Sequence, residues 1–100
     1  MQQLTPTQLR QWLDDPARDK PVLLDVRESW EFDAGHVAGA KPMPMRSVPA
    51  RTPELDRDAE TIVICRSGAR SYQVGMFLEQ TGFTRIYNLY GGMIAWAQTS

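Results

Sequence analysis

Thr61-Ile62-Val63-Ile64-Cys65-Arg66-Ser67-Gly68-Ala69-Arg70-Ser71 joins an apolar run of strand length to a polar loop holding one cysteine, one glycine and two arginines. A continuous apolar run of this kind suits a strand covered on both faces, as in a parallel sheet. Beyond the loop, Val74, Phe77, Leu78 and Thr81 follow helical spacing, and Gly82 supplies the stop. The cysteine therefore falls where a buried strand ends and a helix begins.

Upstream the same grammar repeats. Val22-Leu23-Leu24-Asp25-Val26 is a second continuous apolar run, following a polar turn from Pro16 to Pro21 and ending in a charged cluster. Thr5-Pro6-Thr7-Gln8 has the form of a capping box with proline at the first helical position, and Leu4 and Leu9 are spaced for a hydrophobic staple. The pattern predicts a helix over Pro6–Asp14 that buries Leu9, Trp12 and Leu13. Ser29 is placed to cap a short helix through Trp30-Glu31-Phe32, stopped at Gly35. Lys41-Pro42-Met43-Pro44-Met45 has too many missing donors for a central strand, so it reads as an edge strand or a packed extended connection. Arg85–Leu89 forms the last strand, and Gly91-Gly92 leads into a terminal helix carrying Met93, Ile94 and Trp96. Trp12, Trp30 and Trp96 are all expected in the core.

Strands alternating with helices over 100 residues imply an α/β fold with an open, mostly parallel sheet and helices on both faces. The length fits one domain spanning residues 1–100. In such sheets ligands sit beyond the carboxyl ends of the strands, which is where Cys65 lies.

Composition narrows the chemistry. The 11 basic and 12 acidic side chains give a net charge of −1, so neither general nucleic-acid affinity nor attraction to anionic membranes is expected. One cysteine and one histidine can form neither an internal disulfide nor a Cys/His zinc cage. The N-terminus lacks the basic and apolar regions of a signal peptide, and no apolar stretch approaches the roughly 18 residues of a membrane span. A lone thiol in such a chain fits a reducing, cytoplasmic compartment, with the mature protein being the whole chain.

Cys65 is thus either a small buried apolar residue or a reactive thiol. A polar, glycine-containing loop with two arginines is poor material for a core. At a helix N-terminus the unpaired amides and the helix dipole favour thiolate over thiol, and Arg66 and Arg70 add full positive charges. Gly68 permits the tight turn by which successive amides face inward as an anion nest.

At this point the sequence resembles the rhodanese-like sulfurtransferases. Leu24-Asp25-Val26-Arg27-Glu28 is similar to the family's Asp-Val-Arg segment, and Glu31-Phe32 with Gly35-His36-Val37-Ala38-Gly39-Ala40 to its Gly-His-Ile-x-Gly-Ala segment. Cys65–Ser71 is similar to the Cys-x-x-Gly-x-Arg-Ser loop. Gly82-Phe83, Ile86, Asn88-Leu89, Gly91-Gly92 and Ala95-Trp96 match the closing pattern. The resemblance implies a five-stranded parallel sheet and a single catalytic Cys65 that takes a sulfane sulfur as a persulfide and passes it on, with no metal and no cofactor. It implies that the amides of Arg66, Ser67, Gly68, Ala69, Arg70 and Ser71 cradle the outer sulfur. The Arg66 and Arg70 side chains are then expected to receive the sulfonate of thiosulfate. The implied partners are a small sulfur-containing anion as donor and cyanide, glutathione, thioredoxin or a sulfur-carrier protein as acceptor. Four residues separate Cys65 from Arg70, whereas the related phosphatases place five, so the loop suits a single sulfur atom. A non-enzymatic binding module of the same family is the competing expectation.

His36 could pair with Cys65 as a base, but its turn of small residues favours a structural role, and a preformed thiolate needs no base. Asp25, Arg27, Glu28, Glu31 and Asp33 could form an acid–base cluster at the strand end, but a structural Arg27–carboxylate pair that holds the strand-to-helix turn is favoured, with Arg27 and Glu31 spaced for an i,i+4 contact if the helix begins early enough.

Overall fold

The computed structural model describes residues 1–99. Its elements are β1 (Gln2–Leu4), α1 (Pro6–Asp14), β2 (Val22–Asp25), α2 (Ser29–Asp33), β3 (Lys41–Pro42), α3 (Val48–Arg51), β4 (Thr61–Ile64), α4 (Ala69–Gln80), β5 (Ile86–Leu89) and α5 (Gly92–Ala97). The five strands form one all-parallel sheet in the order β1-β5-β4-β2-β3. β4, in the middle, is buried at all four positions, which is why its sequence shows no polar alternation.

Side chains alternate across a strand, and here the alternation sorts two cores. Leu24, Val26, Val63, Cys65 and Ile86 share one face with Val74 and Leu78 of α4, closed by Met43, Val48 and Phe83. Leu23, Ile62, Ile64 and Leu89 share the other with Leu9 and Trp12 of α1, Val37 and the partly buried Trp96. The expected α1 carries its expected box: Thr5 Oγ1 accepts from the Gln8 amide at 3.2 Å, and Gln8 Oε1 accepts from the Thr5 amide at 2.9 Å. Leu4 packs on the same cluster as Leu9.

Two expectations need adjustment, the Ser29 cap and the burial of Trp30; β1 is an addition, and the proline-flanked segment lies at the sheet edge as expected. β1 was not anticipated, because three residues at a sheet edge, two of them exposed glutamines, carry no apolar pattern. The N-cap of α2 is Glu28 rather than Ser29, and Glu31 Oε1 accepts from the Glu28 amide at 3.0 Å. Trp30 is 73% exposed, since so short a helix presents only one side to the protein. The proline-flanked segment pairs with β2 over Lys41–Pro42 only, at the sheet edge; Met43 then turns fully into the core.

Candidate active site

Cys65 immediately follows β4, and its side chain is fully buried. Two amides of α5 hold the turn that follows: Met93 N–H donates to the Cys65 carbonyl at 2.9 Å and Ile94 N–H to the Arg66 carbonyl at 3.0 Å. Gly68 caps α4 in the left-handed region at φ +100°, a conformation that glycine adopts without the Cβ penalty. That turn brings its amide to 3.1 Å from Cys65 Sγ, as a donor. Ser71, one turn into α4 and fully buried, places its hydroxyl 3.3 Å from the same sulfur.

Opposing effects act on the thiol. Burial pushes its pKa up, but the Ser71 hydroxyl and the amides of Ser71, Gly68 and Ser67 outweigh that and leave it below the ordinary thiol value.

The charged residues near the loop are sorted into pairs. Arg70 meets Glu31 with two parallel bonds, Nη1 to Oε1 at 2.8 Å and Nη2 to Oε2 at 3.0 Å. Arg27 instead forks onto Asp25, Nε to Oδ1 at 3.0 Å and Nη2 to Oδ2 at 2.8 Å, and also donates to the Gly35 carbonyl at 2.8 Å. Arg27 thus forms its expected structural pair with a carboxylate, that of Asp25, while Glu31, which the i,i+4 spacing also offered to Arg27, pairs with Arg70. Asp25 and Arg27 are both buried, and together they tie the end of β2 to the Gly35 turn. His36 stands away from the sulfur, exposed, its Nδ1 donating to the Phe32 carbonyl at 2.8 Å and its ring stacked on Phe32 at 3.7 Å. Arg66 is exposed, and among the described residues its guanidinium has no carboxylate partner. It borders a cleft of about 300 Å³ with Trp30, Ile94 and Met93. A larger cleft of about 530 Å³ opens on the other side of the loop, between Tyr72, Tyr90, Gln3 and Ser67.

The rhodanese-like domain pattern matches this chain over residues 5–99. The chain belongs to the rhodanese-like domain family. A sulfurtransferase of Allochromatium vinosum is 43% identical over 77 residues, 77% of this chain and 72% of that protein. The thiosulfate sulfurtransferase GlpE of Pseudomonas putida is 33% identical over 82 residues, 82% of this chain and 74% of that one. A rhodanese-like domain protein from Staphylococcus aureus superimposes with a TM-score of 0.89 at 29% identity, covering 96% of this chain and 91% of its own. These relatives support sulfurtransferase activity in general.

Within this rhodanese-like domain, the sequence leaves open the partner of Glu31 and the place of Asn88. The i,i+4 spacing allows Glu31 to reach Arg27, yet its partner Arg70 lies 39 positions away on α4. Asn88 was seen only as part of the closing pattern. It is buried on β5 beside Val63 of β4, donating from Nδ2 to the Gly68 carbonyl at 3.2 Å and to Gln3 Oε1 at 2.9 Å. Strand parity was the available signal: Asn88 follows Ile86 by two, so it faces the same core as Cys65.

The Glu31–Arg70 pair makes stability of this rhodanese-like domain depend on acid. Hydrogen bonds from Arg70 bring Glu31 from 4.5 down to about 2, against the opposing effect of burial and with help from the Glu28 amide. A carboxylate with a folded pKa below its unfolded one stabilises the fold at pH above about 4.5, and that contribution disappears as pH falls toward 2. Glu31→Gln is expected to cost about 1–2 kcal/mol at pH 7, discounted for the partial exposure of Arg70. It should also flatten the pH dependence of the urea midpoint between about 4.5 and 2. Unchanged curves for wild type and variant would show that the pair carries no stability.

Proposed function

We propose that this domain transfers a sulfane sulfur from thiosulfate to a thiophilic acceptor through a persulfide on Cys65. The observation that carries this reading is a buried sulfur at the carboxyl end of the central strand, ringed by amide donors and held below its ordinary pKa. In the first half-reaction the Cys65 thiolate attacks the outer sulfur of thiosulfate. A sulfur–sulfur bond forms to Sγ, and the original one breaks with its electron pair leaving on sulfite. In the second, cyanide or a thiolate attacks the outer sulfur and Cys65 leaves as thiolate, which predicts ping-pong kinetics. The amides of Arg66 to Ser71 suit the outer sulfur as an anion nest.

Arg66 is the residue we assign to the sulfonate, because its guanidinium is exposed and Arg70 is held on Glu31. Arg70 contributes its charge to the thiolate from that position. Arg66→Ala is expected to raise the KM for thiosulfate about tenfold, with a smaller effect on kcat. An unchanged KM would move the sulfonate elsewhere. The acceptor is a small nucleophile or a protein thiol, with Trp30 and Ile94 beside Arg66 as the apolar rim available to it. The reading places the domain in a reducing compartment such as the cytoplasm, where Cys65 stays a thiol.

The test is incubation with thiosulfate followed by intact-mass measurement. Gain of one sulfur atom, released on adding cyanide or a thiol, is the expected result. Absence of the adduct with thiosulfate and with other sulfane donors would leave a binding module rather than an enzyme.

A further inference from the structure

The hydrogens around Ser71 can be placed by elimination. The Gly68 carbonyl can only accept, so the Asn88 atom that meets it at 3.2 Å is Nδ2. That fixes the orientation of the amide, and Oδ1 is the atom 2.5 Å from Ser71 Oγ. Oδ1 can only accept, so the single hydroxyl proton of Ser71 points at Asn88. Towards Cys65, 3.3 Å away, Ser71 therefore offers a lone pair, and the bond there is made by the thiol's own S–H.

In this arrangement the hydroxyl serves the thiol, and it must turn to serve the thiolate. When the S–H proton leaves to solvent, Ser71 Oγ faces a bare negative sulfur with its lone pairs. The hydroxyl then breaks its bond to Asn88 Oδ1 and makes one to Sγ. Asn88 Oδ1 is left without that donor in a buried position, 3% exposed. One proton thus serves two acceptors in alternation. Its removal from Asn88 is a cost of ionisation, and its arrival at sulfur is a gain.

We propose that Asn88 is a positioning residue that tunes the ionisation of Cys65 by competing for the hydroxyl proton of Ser71. The proposal rests on Cys65 being the nucleophile, and it extends to both half-reactions. The Ser71 hydroxyl turns to sulfur when Cys65 attacks and again when it departs as thiolate. It returns to Asn88 in the persulfide, whose inner sulfur is neutral. Asn88 itself touches no reacting atom.

The charged and titratable groups around the sulfur are Arg66 on the loop, Arg70 and the exposed Tyr72 on α4, Glu28 and Glu31 at α2, and Asp25 with Arg27 at the end of β2. From β5 and the turn after it Asn88 and the exposed Tyr90 border the site, and from α5 Met93 and Ile94; of these only Tyr90 titrates. Arg66, Arg70, Glu28, Glu31, Asp25 and Arg27 are unaltered by changes at Ser71 or Asn88, so those changes isolate the hydroxyl.

The test reads protonation of Cys65 directly, as thiolate absorbance and as the pH dependence of iodoacetamide alkylation, and not sulfur transfer. Failure of the tuning and failure of the transferase reading are therefore separate results. Ser71→Ala is expected to raise the Cys65 midpoint by about one pH unit, and Asn88→Leu to lower it by a similar amount. In the Ser71→Ala background Asn88→Leu should no longer lower it. A lowering that persists without the hydroxyl, or a rise in Asn88→Leu alone, would overturn the proposal. Should Asn88→Leu fail to fold, the wild-type protein still decides the matter. The side-chain amide resonances of Asn88 are expected to titrate with the same midpoint as Cys65 and to be flat in Cys65→Ser; amide resonances that ignore the titration would overturn it.

Discussion

Cys65→Ser is expected to lower sulfur transfer from thiosulfate by about four orders of magnitude or more and to abolish the one-sulfur adduct, while leaving the melting temperature close to that of wild type. The two halves of this expectation have separate causes. An oxygen in place of Sγ still meets the Gly68 amide and the Ser71 hydroxyl, so its burial is satisfied and the stability change should stay within about 1 kcal/mol. The amides that draw a thiol below its ordinary value cannot bring an aliphatic hydroxyl into a useful range, and oxygen does not attack sulfane sulfur as a thiolate does. Parallel intact-mass and thermal-melt measurements check both halves. A surviving adduct in the variant would place the sulfur on some group other than a cysteine, because the chain has no second one, and would end the persulfide reading.

Why the setting of Cys65 was legible in the sequence, and that of its neighbours only in part, follows from the range of the interactions involved. The strand Thr61–Ile64, the loop and α4 are contiguous, so apolar run, glycine and helical spacing all appear in one window. The Thr5–Gln8 box is likewise local and was legible to the residue. The pairing of Glu31 was not, because two arginines were within plausible reach and nothing local separates Arg27 from Arg70. The choice is made by Asp25, which ends β2 two residues before Arg27 and takes its guanidinium first. β1 depends on a partner at the far end of the chain, Tyr87–Leu89 of β5, and its glutamines announce no strand. Trp30 misled for a different reason: a large apolar residue on a five-residue helix has no guarantee of burial, and here it lies at the rim beside Arg66.

The Gly91-Gly92 pair was visible as a turn into the last helix, but the reason for the second glycine lies in the loop it supports. Gly92 sits at φ +58°, and a Cβ built there would fall 2.5 Å from the Cys65 carbonyl oxygen and closer still to the Arg66 carbonyl. Those two oxygens are the ones that accept from Met93 and Ile94. The first turn of α5 therefore approaches the cysteine loop backbone against backbone, which a side chain at position 92 would prevent. Gly92→Ala is expected to cost about 3 kcal/mol or more, combining left-handed strain with a clash against main chain that cannot swing away. At that size the melting temperature should fall by roughly 15 °C. Gly39→Ala is the control for the dihedral contribution alone, since Gly39 also has positive φ, +86°, with nothing within 4 Å of its Cβ position. It should lose only about 1–2 kcal/mol. In Gly92→Ala the loop can relieve the clash only by moving Cys65 and Arg66 away from α5, and that movement carries Sγ off the Gly68 amide. The variant should accordingly form persulfide more slowly than Gly39→Ala at temperatures where both remain folded. Equal melting temperatures and equal persulfide rates for the two variants would show that α5 does not hold the loop in place.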